Sequence, residues 1–271
     1  MWVDSHCHLS FEGLGDRVDE VLREMEQAQV SAALCVCTTL EEADHVLNLS
    51  RRSASLWASV GVHPDTESTL QHPHCEPTVE ALVARAQVPK IRAIGETGLD
   101  YYRLPTAKGG TAAEDEPIKR KQAAIFLQHL EVAAETGLNC VIHQRGDCFA
   151  DTLKIMEPFT SRVRGQFHCF AGTVAELRRV LELNSLVSFT GIATFKNGQN
   201  VRDVIAATPD GKFMLETDCP FLAPVPHRGR RCEPAFIADI ASKVSEVRRC
   251  SLEELSIATC STARRFFPKM T

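Results

Sequence analysis

The chain has 271 residues, 44% of them apolar and 24% charged, which excludes a disordered or collagen-like polymer and suits one large α/β domain or two small ones. Thirty Lys and Arg against 35 Asp and Glu leave a formal net charge of -5, so no global basic field draws nucleic acid and an anionic substrate must be held locally. No apolar run approaches the roughly 18 residues of a membrane span, the N-terminus lacks a basic segment followed by an apolar one, and eleven cysteines without paired CxxC spacing read as reduced thiols, so a cytoplasmic protein is expected.

The opening strand, from Met1-Trp2-Val3, runs into Asp4-Ser5-His6-Cys7-His8. Residues two apart share one face of a strand, so His6 and His8 point together from its end and can grip one metal ion. Val18, Val21, Leu22 and Met25 then recur at helical spacing, and Ser31 to Cys37 reads as a short buried strand. Thr39-Leu-Glu-Glu42 is a capping box that opens a helix with Ala43, Val46 and Leu47 inward. Leu56 to Val62 is the next strand, ending in Gly61-Val-His-Pro64, and Ile91 to Glu96 the one after, ending in Gly95-Glu-Thr-Gly-Leu-Asp-Tyr-Tyr102. Arg103 to Glu116 reads as a long loop rich in Gly, Ala and charge; because it follows a strand end it should lie over the mouth of a site there, as a gate or as a plain insertion. Pro117 suits the first turn of the next helix, whose Ala123, Phe126, Leu127, Leu130 and Ala134 form one stripe and whose stop is Gly137.

Leu138 to His143 is a further strand, and a helix from about Asp147 to Glu157 leads to the strand Val163 to His168. Thr173-Val-Ala-Glu176 is a second capping box, ahead of the strand Leu186 to Thr190. A weaker helix covers Val201 to Ala207, and Lys212 to Asp218 is the last strand. A loop through Pro220, Pro224 and Pro226 follows, then two helices, the second opened by Ser251-Leu-Glu-Glu254. Eight strands, almost all separated by a helical segment, in a chain near the typical ~250 residues, predict a single (β/α)8 TIM barrel over residues 1–271. A doubly wound open sheet is the alternative, but no Gly-x-Gly-x-x-Gly follows the first strand.

In such a barrel every strand opens its C-terminal end on one face, which gathers His6, His8, His63, Glu96, His143, His168 and Asp218. Closure sets the eighth strand beside the first, and therefore Asp218 beside His6 and His8. Four imidazoles (His6, His8, His143, His168) and two carboxylates suit two divalent ions, Zn2+, Mn2+ or Mg2+, with Glu96, half-way round the barrel, as the bridge. Two ions roughly 3.5 to 4 Å apart can deprotonate a water, orient it for in-line attack on phosphorus and stabilise the leaving oxygen. Asp218 is the candidate for the carboxylate that takes the proton. His63 offers a phosphate contact in the mouth or a helix or turn cap formed with Pro64, and His227, Arg228, Arg230 and Arg231 form a local positive cluster for phosphates or a solvated basic loop, with Arg228 its strongest member. Tyr101 and Tyr102, the only tyrosines, offer platforms for a base. His72-Pro-His74 with Cys75 has the spacing of a ligand pair, but a proline intervenes and no strand surrounds it, so it reads as surface loop. His45 and His129 sit within helical patterns and need no function.

Together, Val3-Asp-Ser-His-Cys-His8, Gly61-Val-His-Pro64, Ile94-Gly-Glu-Thr-Gly-Leu-Asp-Tyr-Tyr102, Val141-Ile-His143, His168-Cys-Phe170, Gly191-Ile192, Leu215-Glu-Thr-Asp218 and Leu222-Ala-Pro-Val-Pro-His-Arg-Gly229 resemble the TatD family of metal-dependent deoxyribonucleases, from the N-terminus to roughly residue 235. The resemblance implies a TIM barrel, divalent metals and 3'-to-5' hydrolysis of DNA, on single strands or 3' ends. Carried over by position, it implies that His6, His8, Glu96 and Asp218 hold one ion and Glu96, His143 and His168 the other. Arg145 and Tyr102 are further candidates for substrate contact, outside that carried-over set. The chain departs from the family pattern in three places: Gly146 is an extra residue between Arg145 and Asp147, Cys232 stands where an Asn is common before Glu233-Pro234, and the 103–116 stretch is longer than usual.

Two other classes compete. An amidohydrolase-type enzyme acting on a small ester, amide or phosphoester uses the same barrel, but no strand ends in a lysine suited to carbamylation, Lys90 preceding its strand. A non-catalytic metal-binding protein would hold ions without turnover, which an intact Asp218 beside an open coordination position argues against. No obligate protein partner and no membrane association are expected.

Overall fold

Each strand pairs in parallel with its neighbour in sequence, giving the order β1 to β8 in the computed structural model, which describes residues 1–65 and 77–268. The strands are β1 (Trp2–Cys7), β2 (Val30–Cys35), β3 (Leu56–Val60), β4 (Ile91–Asp100), β5 (Asn139–Arg145), β6 (Gly165–Phe167), β7 (Leu186–Phe189) and β8 (Phe213–Leu215). Between them run α1 (Val18–Gln27), α2 (Ala43–Ser50), α3 (Val79–Ala86), α4 (Ala112–Thr136), α5 (Phe149–Met156), α6 (Val174–Glu182) and α7 (Gln199–Ala207), and α8 (Ile237–Arg248) and α9 (Leu252–Phe266) follow β8. The expected (β/α)8 barrel is the fold. None of the described helices is long and apolar enough to cross a membrane, and the ten described cysteines are free thiols.

The seam between the last strand and the first is closed just beyond β8. Asp218 donates its N–H to the His6 carbonyl at 2.9 Å and His8 donates to the Cys219 carbonyl at 2.8 Å. Below these bonds the buried Asp4 carboxylate accepts from the Thr217 N–H at 2.9 Å and from its hydroxyl at 2.6 Å. These two bonds tie the first residues of the chain to the segment that carries Asp218, while burial raises the Asp4 carboxyl to about 7.

Two apolar layers hold the barrel. Outside it, Val21, Met25, Val46, Leu82, Phe126, Leu130, Val180 and Ile240 pack helices on strands. Inside it, Val3, Leu34, Ala93, Val141, Leu186 and Met214 meet Phe266 and Phe267 from the C-terminal end of α9. Full burial of one such large side chain contributes about 1.5–3 kcal/mol. Higher in the interior the filling turns polar: the Gln166 amide nitrogen lies 2.9 Å from the Ser5 and Ser188 hydroxyls and from the Glu216 carboxylate, with two N–H donors to share among them.

Some elements differ from expectation. Helix α4 begins at Ala112, so the loop is only 103–111 and Pro117 stands inside the helix rather than in its first turn. The reason is legible afterwards: Thr111 and Glu114 form a capping box of their own, with Glu114 accepting from the Thr111 N–H at 2.7 Å. On α4 the inward face is Gln122, Ile125, Phe126, His129 and Leu130, and Leu127 is exposed. The Thr39–Glu42 box is made, Glu42 N–H to Thr39 at 3.1 Å, one turn ahead of α2. Helix α3, which the hydrophobic pattern did not place, is capped by Thr78. Strand β4 runs on to Asp100, while β8 stops at Leu215 and leaves Asp218 in a turn. The His72-Pro73-His74 and Cys75 segment lies outside the described residues.

Candidate metal centre

Simple alternation would not bring the donors together. On β1, Val3 and Ser5 face the barrel interior, and a register shift between Asp4 and Cys7 turns His6 and His8 inward as well. Strand β4 repeats the device, with a shift between Ile94 and Thr97 that aims Glu96 into the barrel above Ala93. Such bulges re-aim side chains at strand ends. The neighbouring backbone leaves no room for alternatives: a Cβ on Gly61 would stand 2.4 Å from the Gly95 Cα.

Two donor groups result. His6 Nε2 and His8 Nε2 are 3.1 Å apart; they lie 3.4 and 3.7 Å from Glu96 Oε2 and 3.6 and 3.4 Å from Asp218 Oδ1. A tetrahedron with bonds of about 2.0–2.1 Å has edges of about 3.3–3.4 Å, so His6, His8 and Glu96 have the spacing of three donors to one ion, with Asp218 Oδ1 beside both imidazoles. The other oxygen of the same carboxylate, Glu96 Oε1, lies 2.9 Å from His143 Nδ1 and 2.8 Å from His168 Nε2, which are 3.2 Å from each other. The donor set, imidazole nitrogens facing carboxylate oxygens in a buried pocket, fits divalent cations such as Zn2+ or Mn2+.

A hydrogen bond at the far side of the ring assigns the lone pair of His143. His143 Nε2 pairs with Asp100 Oδ2 at 3.1 Å, which leaves Nδ1 free to face the centre. His168 turns Nδ1 toward Glu216 Oε1 at 3.7 Å, and Glu216 is in turn held by the Cys169 N–H and the Gln166 amide. His6, His8 and His168 all keep Nδ1 buried without a hydrogen-bond partner within 3.5 Å. His63 is different. Its Nδ1 accepts from the Asp65 N–H at 3.0 Å, so the neutral ring carries its proton on Nε2, 3.2 Å from His143 Nδ1, as a donor into the mouth.

Burial alone would raise the Glu96 carboxyl, but His168, His63 and His6 around it hold it well below its usual range. Asp218 is likewise lowered, burial being outweighed by its bond to His8 and the nearby imidazoles. Its backbone is left-handed at φ +55°, a strained setting for a non-glycine residue. Burial pushes His63 down to about 3, which keeps the ring neutral.

The rim holds the remaining expected residues. Tyr102 is 60% exposed, with the Arg145 guanidinium 4.6 Å above its ring, and its N–H donates to Asp100 at 2.9 Å. Gly146 permits this packing: a Cβ there would meet the Tyr102 nitrogen at 2.6 Å. Tyr101 instead donates to Asp151 at 2.9 Å. Arg103 of the 103–111 loop pairs with Asp65, next to His63. Arg228 lies 3.9 Å over the Phe195 ring and stays exposed, whereas His227 is held by Asp239 at 3.1 Å and stacked on Phe236. His227 is therefore not among the groups brought to the centre. Sequence reasoning missed Asp4, Asp100 and Glu216; for the last two a signal existed, since each stands an even number of residues from a chosen carboxylate.

A family model described as TatD related DNase matches residues 3–268. An uncharacterized metal-dependent hydrolase of Escherichia coli K12, YcfH, is 35% identical over 269 residues, 98% of this chain and 95% of that one. A protein of Cronobacter turicensis named 3'-5' ssDNA/RNA exonuclease TatD is 32% identical over 257 residues, 93% of this chain and 92% of its own. Among solved structures, the TatD homolog YJJV of Escherichia coli K12 has the same fold, with a TM-score of 0.84 at 22% identity across 98% of this chain and 97% of that one.

Proposed function

The chain belongs to the TatD-related DNase family and is a metal-dependent hydrolase, and from that premise we propose that it cleaves DNA phosphodiester bonds from a 3' end at a centre of two divalent ions. His6, His8, Glu96 and Asp218 would hold one ion, and Glu96, His143 and His168 the other. The observation that carries this reading is the single carboxylate of Glu96, with Oε2 among the first group of nitrogens and Oε1 among the second. When bound, two such ions supply an activated water and offset the charge on the leaving oxygen.

The chain's own residues do the rest. Asp218, kept ionised by His8 and His6, takes the proton of the attacking water. His63 donates its Nε2–H to a phosphate oxygen, and Asp100 holds His143 in its working tautomer. Arg145, Tyr102 and Arg228, all exposed on the rim, receive the flanking nucleotides, while His227 braces the Arg228 loop. Glu96 is only 2% exposed, so the scissile phosphate must be lowered into the mouth, which a single-stranded end does at less steric cost than a duplex. The Cronobacter relative, named as a 3'-5' exonuclease of single-stranded DNA and RNA, supports the same polarity and strand preference.

The test is release of mononucleotides from a 3'-end-labelled single-stranded oligonucleotide with Mn2+ or Mg2+, repeated with chelator. Metal-dependent loss of the 3' label is expected. A protein that binds two ions per chain and leaves the oligonucleotide intact overturns the reading in favour of a small ester or amide.

A further inference from the structure

Phe11 and Phe221 are 37% and 47% exposed and belong to neither hydrophobic core. They come from opposite ends of the chain, one from the loop after β1 and the other from the turn after Asp218, and meet because the barrel closes there. Their rings stand edge to face at 5.4 Å and 82°. Both also touch His8, with centroid distances of 5.5 Å for Phe11 and 6.3 Å for Phe221. Nothing in the fold requires two large apolar rings at the surface of a polar mouth, where burying them would be worth about 1.5–3 kcal/mol each.

The pair is also held in place. Phe11 donates its N–H to the His8 carbonyl at 3.3 Å and accepts from Leu14 and Gly15, and Phe221 donates to the Asp218 carbonyl at 3.0 Å. Asp218 and Leu222, on either side of this turn, are both left-handed, at φ +55° and +53°. Strained backbone of this kind persists where the surroundings over-determine it. Each ring thus keeps a fixed offset from the donors His8 and Asp218. On the far side of Glu96 stands a different platform, Tyr102 under Arg145.

We propose that Phe11 and Phe221 form an aromatic wall that stacks one of the two bases flanking the scissile phosphate, and so sets the register of the strand over the centre; the proposal rests on the nucleic-acid reading above. A base of any identity offers a π face, so such a wall selects for the presence of a base and tolerates its sequence. Hydrogen bonds to base edges are not needed for it.

The experiment compares wild type, Phe11→Ala, Phe221→Ala and the paired leucine variants on three oligonucleotides: a normal one, one with an abasic terminal residue and one with an abasic penultimate residue. Base–aromatic stacking predicts that the alanine variants lose about tenfold to a hundredfold in kcat/KM on the normal strand. On the oligonucleotide abasic at the stacked position, wild type falls by the same factor and the variants fall no further. Leucine, which restores apolar bulk without a flat ring, does not rescue. Equal losses on all three strands, or full rescue by leucine, overturn the wall and leave the phenylalanines as packing. A wild type inert on every oligonucleotide overturns the nuclease reading itself, a separate result from an active wild type whose variants are unimpaired.

Discussion

At the N-terminal ends of the strands the barrel interior is filled by Val3, Leu34, Leu186 and Met214 and plugged by Phe266 and Phe267. At the C-terminal ends the same strands bury His6, His8, Glu96, Asp100 and His143, with Asp218 in the adjoining turn. Burying polar groups costs free energy that burying phenylalanine gains. The difference teaches that one end is selected for holding the barrel shut and the other for what it holds. The apolar end has its own cavity, of 770 Å3, lined by Met1, Leu252, Ile257 and Arg264, but none of the converging donors opens into it.

The largest effect expected from breaking this division is at the polar end. Asp218→Asn should lower kcat by about 10²–10⁴-fold, the usual worth of a positioned base, while its melting temperature stays close to that of the wild type. Rates near wild type in that variant would remove Asp218 from the reaction. The reverse is expected of Phe266→Ala at the apolar end: about 3–5 kcal/mol of stability lost in denaturant unfolding, with metal content and the kcat of the folded fraction retained. A parallel loss of bound metal would show that the two ends are not independent.

The smallest effect sharpens the comparison by testing a histidine that belongs to neither end. His129 on α4 is wholly buried, with Nδ1 2.7 Å from the Ile125 carbonyl and Nε2 accepting from the Val62 N–H at 3.0 Å. Burial lowers it from 6.5 to about 4. Below pH 6.5 the unfolded chain takes up a proton that the folded ring refuses, so stability present above pH 6.5 is lost as pH falls toward 4, by about 3 kcal/mol. His129→Leu lacks that loss, and its stability deficit relative to wild type, measured by urea unfolding, should shrink between pH 7 and pH 4. A deficit constant with pH would mean that His129 contributes only its shape.

Much of this was readable from local pattern. Apolar runs alternating with 3.6-residue periodicity gave eight strands and most of the helices, and an odd density of histidines and acids at strand ends marked His6, His8, Glu96, His143, His168 and Asp218 before any of them was seen to meet. Capping boxes at Thr173 and Ser251 were local too, and they are made as expected. Other features had no local signature. The register shifts that turn His6 and Glu96 inward arise from how neighbouring strands pair. The Asp4–Thr217 clamp and the Phe11–Phe221 contact join residues more than 200 positions apart in the chain. Even His63, conspicuous in sequence, owes its role as a donor to the Asp65 N–H that occupies its other nitrogen. The sequence by itself determined the rhythm of the barrel and the chemistry carried at its strand ends, because periodicity and residue type are properties of a short stretch. Only the tertiary structure decided which oxygen faces which nitrogen and what stands beside them, because closing a ring of eight strands brings together groups that no local stretch contains.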